Sequence, residues 1–208
     1  MKQLFILFAL AFTITTGFAQ KKKTPVKSTK TASVAKVDNL TAEIKGKTFQ
    51  LTISDKGKPT DAIIVKELTN DVKPIDMKLS SFAANGTKLY LLQWTEKSNT
   101  KTDLKTEDIT MIYSVIYEIT SKKQVFSNYQ KTTNIVEKVF LDRNKTASET
   151  QEKVRKEGFE FVLNPDGSVT QKSKNQENKW SYDAVKQEFV EVKKKNKKKP
   201  RLKVGFFY

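Results

Sequence analysis

The chain contains no cysteine and no histidine among its 208 residues. Without cysteine, no disulfide forms and no thiolate is available to attack a substrate or bind zinc. Without histidine, Ser-His-Asp and Cys-His catalysis, zincin motifs and histidine-ligated haem are all excluded. The seven glycines are not clustered, so the chain also lacks a glycine-rich phosphate-binding loop. The sequence indicates no metal and no cofactor, and we predict that the protein is not an enzyme.

Apolar runs are also short, and the clearest one lies at the N-terminus, where residues 4–12 follow Lys2. These nine residues are too few to cross a bilayer, which needs about 20. Small residues at Gly17 and Ala19 match the specificity of signal peptidase. We therefore expect residues 1–19 to be a cleaved signal peptide, and the mature chain to have no transmembrane segment. Export without cysteine is typical of bacteria and predicts a periplasmic or secreted protein.

The net charge of +16 is concentrated near the two ends of the chain. Residues 21–36 contain six lysines and no acid, and residues 193–203 contain eight basic residues and no acid. The segment between them, residues 37–192, is almost neutral, with 24 basic and 23 acidic residues. The sequence therefore gives no sign that the folded domain is itself a basic binding surface.

Lysine supplies nearly all of the positive charge, because the chain has only three arginines. Lysine is a hydrated point charge, whereas the planar fork of arginine reads phosphates and guanine edges. The terminal runs therefore predict non-specific attraction to a polyanion or an envelope surface, and no sequence-specific nucleic acid. Simple solvation of the charges is the alternative. The candidate polyanion contacts are Lys21, Lys22, Lys23, Lys194, Lys195, Lys197, Lys198 and Lys199.

Residues 20–36 are mostly Lys, Thr, Ser and Ala, which have little to bury, so we predict a disordered linker. Residues 37–208 are expected to form one antiparallel β-domain, because alternation of apolar and polar residues dominates there. The longest such pattern, residues 109–119, is expected to pair with residues 124–132. The strand at 88–95 is apolar on both faces. One face has Tyr90, Leu92 and Trp94, and the other has Leu89 and Leu91.

Hairpin signals occur twice in the C-terminal third. Residues 159–163 and 168–172 flank the turn 164–167, where proline and glycine occupy the second and fourth positions of a type I turn. Residues 180–182 and 188–192 form a further strand pair. Residues 201–208 also alternate, which predicts a further strand of the sheet with four apolar residues on one face: Leu202, Val204, Phe206 and Tyr208.

Two segments predict helices. Residues 38–46 have Asp38 as an N-cap, and residues 146–158 open with a capping box formed by Thr146 and Glu149. The second segment has only two apolar residues, so we expect one short surface helix there. The resulting fold class is mainly β: a single antiparallel β-barrel or curved sheet of about nine or ten strands, with one surface helix.

Four aromatic residues are candidates for lining a small apolar cavity if the sheet closes into a barrel; plain core packing is the alternative. They are Tyr90, Trp94, Tyr113 and Tyr117. Residues 46–49, which follow the first predicted helix, resemble in four positions the opening of the lipocalins. Lipocalins normally have Gly-x-Trp there, and Phe49 takes the place of Trp one residue later. The resemblance implies a lipocalin-like carrier of a small apolar ligand.

The leading expectation is an exported β-domain with a non-enzymatic binding or cell-envelope interaction role. The first alternative is the carrier with a barrel cavity. The second is a carboxylate-based hydrolase, which needs two acids facing each other in a cleft. Glu118, Glu137 and Glu160 lie within predicted strands, where a solvated face is their simplest position.

Overall fold

Antiparallel β-structure, as the alternation predicts, makes up the fold. The computed structural model describes residues 34–69 and 72–193, which contain thirteen strands in three sheets and no helix. No helix in these ranges is long and apolar enough to cross a membrane. The predicted signal peptide, the eight candidate lysines of the terminal runs and the predicted strand 201–208 lie outside the described residues.

The N-terminal sheet is a four-stranded meander in the order β1-β2-β3-β4. Its strands are β1 (Val34–Val37), β2 (Leu40–Lys45), β3 (Thr48–Asp55) and β4 (Lys58–Glu67). Residues 34–36, which the sequence analysis placed in the linker, therefore belong to a strand paired with β2. The predicted helix at 38–46 is wrong. Leu40 and Ile44 are four apart, which fits a helix and a strand equally, but buried Ala42 between them completes a strand alternation.

The central sheet is a five-stranded meander in the order β5-β6-β7-β8-β9. Its strands are β5 (Ile75–Ala84), β6 (Thr87–Lys101), β7 (Lys105–Glu118), β8 (Lys123–Phe140) and β9 (Ser148–Gly158). The predicted pairing of residues 109–119 with 124–132 is confirmed, with Tyr113 opposite Tyr129. Beyond the predicted residues 124–132, strand β8 continues unbroken to Phe140 and is 18 residues long.

The surface helix predicted at residues 146–158 is wrong, because this segment is strand β9. Its eleven residues pair with β8 from Ser148 opposite Phe140 to Gly158 opposite Gln130. The capping box is a local signal, and a single apolar side chain in mid-segment, Val154, cannot anchor a helix on a core. Pairing satisfies the backbone hydrogen bonds along β8, which would otherwise be an open sheet edge.

The C-terminal sheet has the order β10-β11-β12-β13. Its strands are β10 (Glu160–Leu163), β11 (Val169–Lys172), β12 (Glu177–Asp183) and β13 (Glu188–Glu191). Both predicted hairpins are confirmed. In the turn of the first, the Gly167 N–H donates to the Asn164 carbonyl oxygen at 3.0 Å. In the second, Tyr182 lies opposite Phe189.

Two cores lie on opposite faces of the central sheet. The first core packs the N-terminal sheet on one face and is made of Ala42, Phe49, Leu51, Met77, Leu92, Trp94, Val115 and Tyr117. The second core packs the C-terminal sheet on the other face and is made of Ala84, Leu89, Leu91, Ile116, Val125, Val169, Tyr182 and Phe189. The two predicted faces of residues 88–95 thus enter different cores.

The predicted barrel is wrong for the described residues, which form three open sheets. A strand of a small barrel buries one face inside and exposes the other. Residues 88–95 of β6 are apolar on both faces, and a sheet on each side is the arrangement that buries both. The carrier hypothesis therefore lacks the barrel that would enclose its cavity.

Beyond the two cores, the central sheet extends as a projection that we call the arm, residues 97–112 and 130–158. Nine of the eleven residues of β9 are exposed and the other two are partly buried. The outer end of β6 is similarly open. In β8, Thr133 and Ile135 are buried, whereas Val136 and its neighbour Val154 in β9 remain 41% and 64% exposed. At about 3.4 Å per residue, the β8 portion of the arm is about 35 Å long.

Candidate functional site

The four aromatic candidates lie together beneath the N-terminal sheet. Tyr90 is opposite Tyr117, and Trp94 is opposite Tyr113, on the neighbouring strands β6 and β7. The Trp94 ring stacks on Tyr113 at 4.8 Å between centroids, and Phe49 meets Trp94 edge-on at 5.2 Å. Tyr90, Trp94 and Tyr117 are buried and Tyr113 is half-buried. These short distances between ring centroids are typical of a packed aromatic core.

A buried carboxylate adjoins this group. Glu96 is 4% exposed, and both of its carboxylate oxygens accept from the Lys66 ammonium at 2.8 Å. The Trp94 indole N–H donates to the same carboxylate at 3.0 Å. Burial, reinforced by the Glu96 charge, raises the pKa of Tyr113. Since Lys66 and Trp94 already bind the Glu96 oxygens, this cluster joins β4 to β6 and is best explained as a structural ion pair.

Tyr117 makes stability sensitive to alkaline pH. Burial raises the pKa of its hydroxyl to about 12, from about 10 in an unfolded chain. Between these values the folded state retains a proton that the unfolded state loses, so stability falls as pH rises from about 10 to about 12. We expect Tyr117 to account for about 2–3 kcal/mol of this loss. Urea unfolding over this pH range should show a shallower decline for Tyr117→Phe, and parallel declines would contradict the assignment.

The three candidate acids of the hydrolase hypothesis occupy separate places. Glu118 is not on a solvated face: it is buried and accepts the N–H groups of Thr120 and Ser121 at 3.0 and 2.7 Å, which holds the β7–β8 turn. Glu137 lies opposite Lys105, at the other end of β7 and about 40 Å from Glu118 along the strand. Glu160 is exposed in β10.

One face of the arm presents four lysines, and we call it the lysine face: Lys97, Lys101, Lys138 and Lys156. Directly opposite residues in a sheet share a face. Lys97 lies opposite Thr110, and Thr110 lies opposite Thr132. Thr132 lies opposite Lys156, so a row across four strands begins and ends with lysine. Lys101 lies opposite Thr106 on the same face, and Thr106 lies opposite Val136, two residues before Lys138.

The four lysines are exposed, and none forms an ion pair with a carboxylate of residues 34–69 or 72–193. Threonine and asparagine fill most of the space between them. The two acids on this face are Asp108, which accepts from the Asn99 amide at 2.6 Å, and Glu152. The lysine face therefore combines unpaired positive charge with hydroxyl and amide groups and with two exposed valines, Val136 and Val154.

On the opposite face of the arm, basic and acidic side chains form ion pairs with one another. Its ion pairs are Lys105–Glu107, Lys131–Glu157, Lys153–Glu137 and Arg155–Glu157. Hydrogen bonding to Lys105 lowers the pKa of Glu107, and hydrogen bonding to Lys153 lowers the pKa of Glu137. The two faces of one sheet thus differ in charge state: one is internally paired and the other is left positive.

An open cleft of about 730 Å³ lies where the arm meets the C-terminal sheet. Gln130 and Lys156 line it from the arm, and Lys172 at the end of β11 and Lys174 and Asn175 in the β11–β12 connection line it from the C-terminal sheet. Lys156 belongs to the cleft and to the lysine face, so the two are continuous. No cluster of three or more potential metal-ligating side chains occurs in the described ranges.

The sequence did not predict this site, because the nearly neutral net charge of residues 37–192 does not show that four lysines share one face. A count along the chain balances these lysines against acids that lie on other surfaces of the domain. A usable signal was present in β6, where Thr95, Lys97, Asn99 and Lys101 alternate on one face. That signal identifies a surface only when β7, β8 and β9 are placed in order beside β6, and β9 was predicted to be a helix.

Comparisons with known proteins supply no relative: no family model, no curated protein and no solved structure matches this chain. Its function must therefore be inferred from its own residues and geometry.

Proposed function

We propose that this is an exported, non-enzymatic binding protein whose arm holds an acidic polymer of the cell envelope against the lysine face. A single observation carries the proposal: the lysine face leaves four lysines unpaired, while the opposite face of the same sheet pairs its charges. Unpaired lysines at fixed positions attract polyanions and gain from counterion release. Export follows the expectation for residues 1–19.

The spacing of the lysines favours an extended ligand over a small anion. Lys97 and Lys101 are four residues apart on β6, which places their backbones about 13 Å apart. Lys97 and Lys156 are separated by three strand spacings, about 14 Å. A polymer that carries carboxylates or phosphates along its length would contact several of these side chains at once. The cleft continues the path through Lys172 and Lys174.

The groups between the lysines suit an acidic polysaccharide. Thr106, Thr110 and Thr132 present hydroxyls on this face, and Asn134 adds an amide. These groups donate to and accept from sugar hydroxyls without selecting a sequence of units. Because all four positions are lysine and not arginine, they attract anionic groups without forming bidentate hydrogen bonds to them. We therefore expect moderate affinity, broad tolerance of polymer structure and strong salt dependence.

The two alternative functions have weaker support. A carrier needs an enclosed apolar cavity, and the cleft at the base of the arm is open and lined largely by charged and amide side chains. A hydrolase needs two free carboxylates in a cleft, and Glu157 and Glu160 both line this one. Glu157, however, is bound to Arg155 at 2.7 Å and to Lys131 at 3.5 Å.

The test is binding of polygalacturonate, a polymer of carboxylated sugars, by the full-length chain and by a variant with Lys97→Gln, Lys101→Gln, Lys138→Gln and Lys156→Gln. We expect this variant to bind at least tenfold more weakly at low salt. Because up to four contacts are lost, the slope of log K against log salt should become shallower by about three. Isothermal titration calorimetry at several salt concentrations measures both quantities.

The matched control removes the same charge from exposed turns of the N-terminal sheet, through Lys45→Gln, Lys47→Gln, Lys56→Gln and Lys58→Gln. At about 0.15 M salt this control should change the affinity by less than about twofold, because charges farther from the ligand than the screening length of about 8 Å contribute little. Equal losses in the two variants would assign binding to net charge or to the terminal lysine runs and would refute the proposal. Neutral dextran should not bind.

A further inference from the structure

The outer end of the arm, which we call the tip, exposes two leucines. The tip consists of residues 101–105, around the β6–β7 turn, and residues 138–147, around the β8–β9 loop. Leu104 is 46% exposed and Leu141 is 62% exposed. The two segments are adjacent, because the Lys138 N–H donates to the Leu104 carbonyl oxygen at 2.8 Å.

The β8–β9 loop holds Leu141 outward through its own hydrogen bonds. The Asp142 carboxylate accepts the N–H groups of Thr146 at 2.8 Å and Ala147 at 3.3 Å. The Leu141 N–H donates to the Ala147 carbonyl oxygen at 3.0 Å. Hydrogen bonding to Thr146 lowers the pKa of Asp142, so its charge is retained within the loop. The exposure of Leu141 therefore belongs to an organised loop.

Positive charge surrounds the two leucines. The tip contains five basic residues, Lys101, Lys105, Lys138, Arg143 and Lys145, and two acids, Asp103 and Asp142. The Lys138 and Lys145 ammonium groups lie 5.7 and 5.5 Å from the centroid of the Phe140 ring. These two cations are therefore held beside the leucines by contact with an aromatic face.

We propose that the tip docks on an anionic phospholipid surface, with Leu104 and Leu141 entering the interface and the surrounding cations contacting lipid headgroups. Apolar side chains flanked by lysine and arginine bind interfaces through buried apolar area and attraction to anionic lipid together. The small size of the tip favours lipid over a folded partner. The tip consists of two turns at the end of the four-stranded arm, which present little area for a complementary protein interface.

The test measures co-sedimentation of the full-length chain with vesicles of phosphatidylcholine that contain phosphatidylglycerol. The decisive variant is Leu104→Gln with Leu141→Gln, which leaves every charge of the tip in place. We expect its partition into these vesicles to fall at least tenfold. Vesicles of phosphatidylcholine alone should bind the unmodified chain weakly. A second variant, Leu141→Trp, should show a blue-shifted indole emission with the anionic vesicles, which reports insertion directly.

A control variant with Ile64→Gln and Val185→Gln removes apolar side chains that are 65% and 94% exposed elsewhere. It should partition within about twofold of the unmodified chain, because exposed apolar residues away from the interface do not enter it. Equal partition of the leucine variant and the unmodified chain would overturn the proposal, as would an unshifted emission of Leu141→Trp. The leucine variant should keep its affinity for polygalacturonate, so failure of the tip and failure of the lysine face are distinguishable.

Discussion

Phe49→Ala is expected to lower the free energy of unfolding by about 3–5 kcal/mol. Phe49 is fully buried at the centre of the first core. Its ring contacts Trp94 edge-on, and this contact joins the N-terminal sheet to the central sheet. Truncation to alanine removes the apolar burial and leaves a cavity between two sheets whose backbones cannot fully close over it.

Urea unfolding followed by tryptophan fluorescence measures this loss. The control is Ile64→Ala on the neighbouring strand β4, where the side chain is 65% exposed. That variant should change stability by no more than about 0.5 kcal/mol. A loss below about 1 kcal/mol for Phe49→Ala would show that the N-terminal sheet is not packed on the central sheet as described.

Gly167→Ala is expected to lower the free energy of unfolding by about 2–5 kcal/mol, from backbone strain and overpacking together. Gly167 has a φ of +76°, which disfavours any residue with a Cβ atom. A Cβ atom there would lie 2.3 Å from the Ala83 carbonyl oxygen and 2.8 Å from the Ala84 side chain. Both neighbours belong to β5, so the turn of one hairpin would have to move away from another sheet.

Gly57→Ala separates the two causes. Gly57 has a similar φ of +79°, but no atom lies within 4 Å of the Cβ that would be added. This variant should lose only the conformational contribution, about 1–2 kcal/mol. The excess loss in Gly167→Ala, measured by urea unfolding under the same conditions, is the cost of the contact with β5. Equal losses in the two variants would show that no such contact constrains the turn.

The hairpins were predictable because the turn residues and both strands lie within a short stretch of sequence. The turn at residues 164–167 has proline and glycine where a type I turn needs them, and the strands on either side alternate. The same holds for residues 109–119 and 124–132. For β6, residues 88–95 were predicted to be apolar on both faces, which is why this strand lies between two cores.

The two predicted helices failed for a related reason. Residues 38–46 and 146–158 have helix caps and no decisive apolar period, so their local preference is weak in either direction. Pairing with adjacent strands determined that both segments are extended. Residues 40–45 pair with β3, and residues 148–158 pair with the exposed side of an 18-residue strand. The partner of residues 40–45 is close in sequence, so this hairpin was within reach of a local pattern. The partner of residues 148–158 extends back to Gln130, which a window of a dozen residues does not include.

The amino-acid sequence by itself determined the β class, the main hairpins, the two-sided burial of β6 and the absence of histidine and cysteine chemistry. Only the tertiary structure decided that three sheets stack instead of closing into a barrel, and that Lys97 and Lys156 share a face. Strand alternation is a property of neighbours along the chain, so a sequence displays it directly. Charge on a surface depends on which strands lie side by side, and two lysines 59 residues apart share one face only after β6, β7, β8 and β9 pair in order.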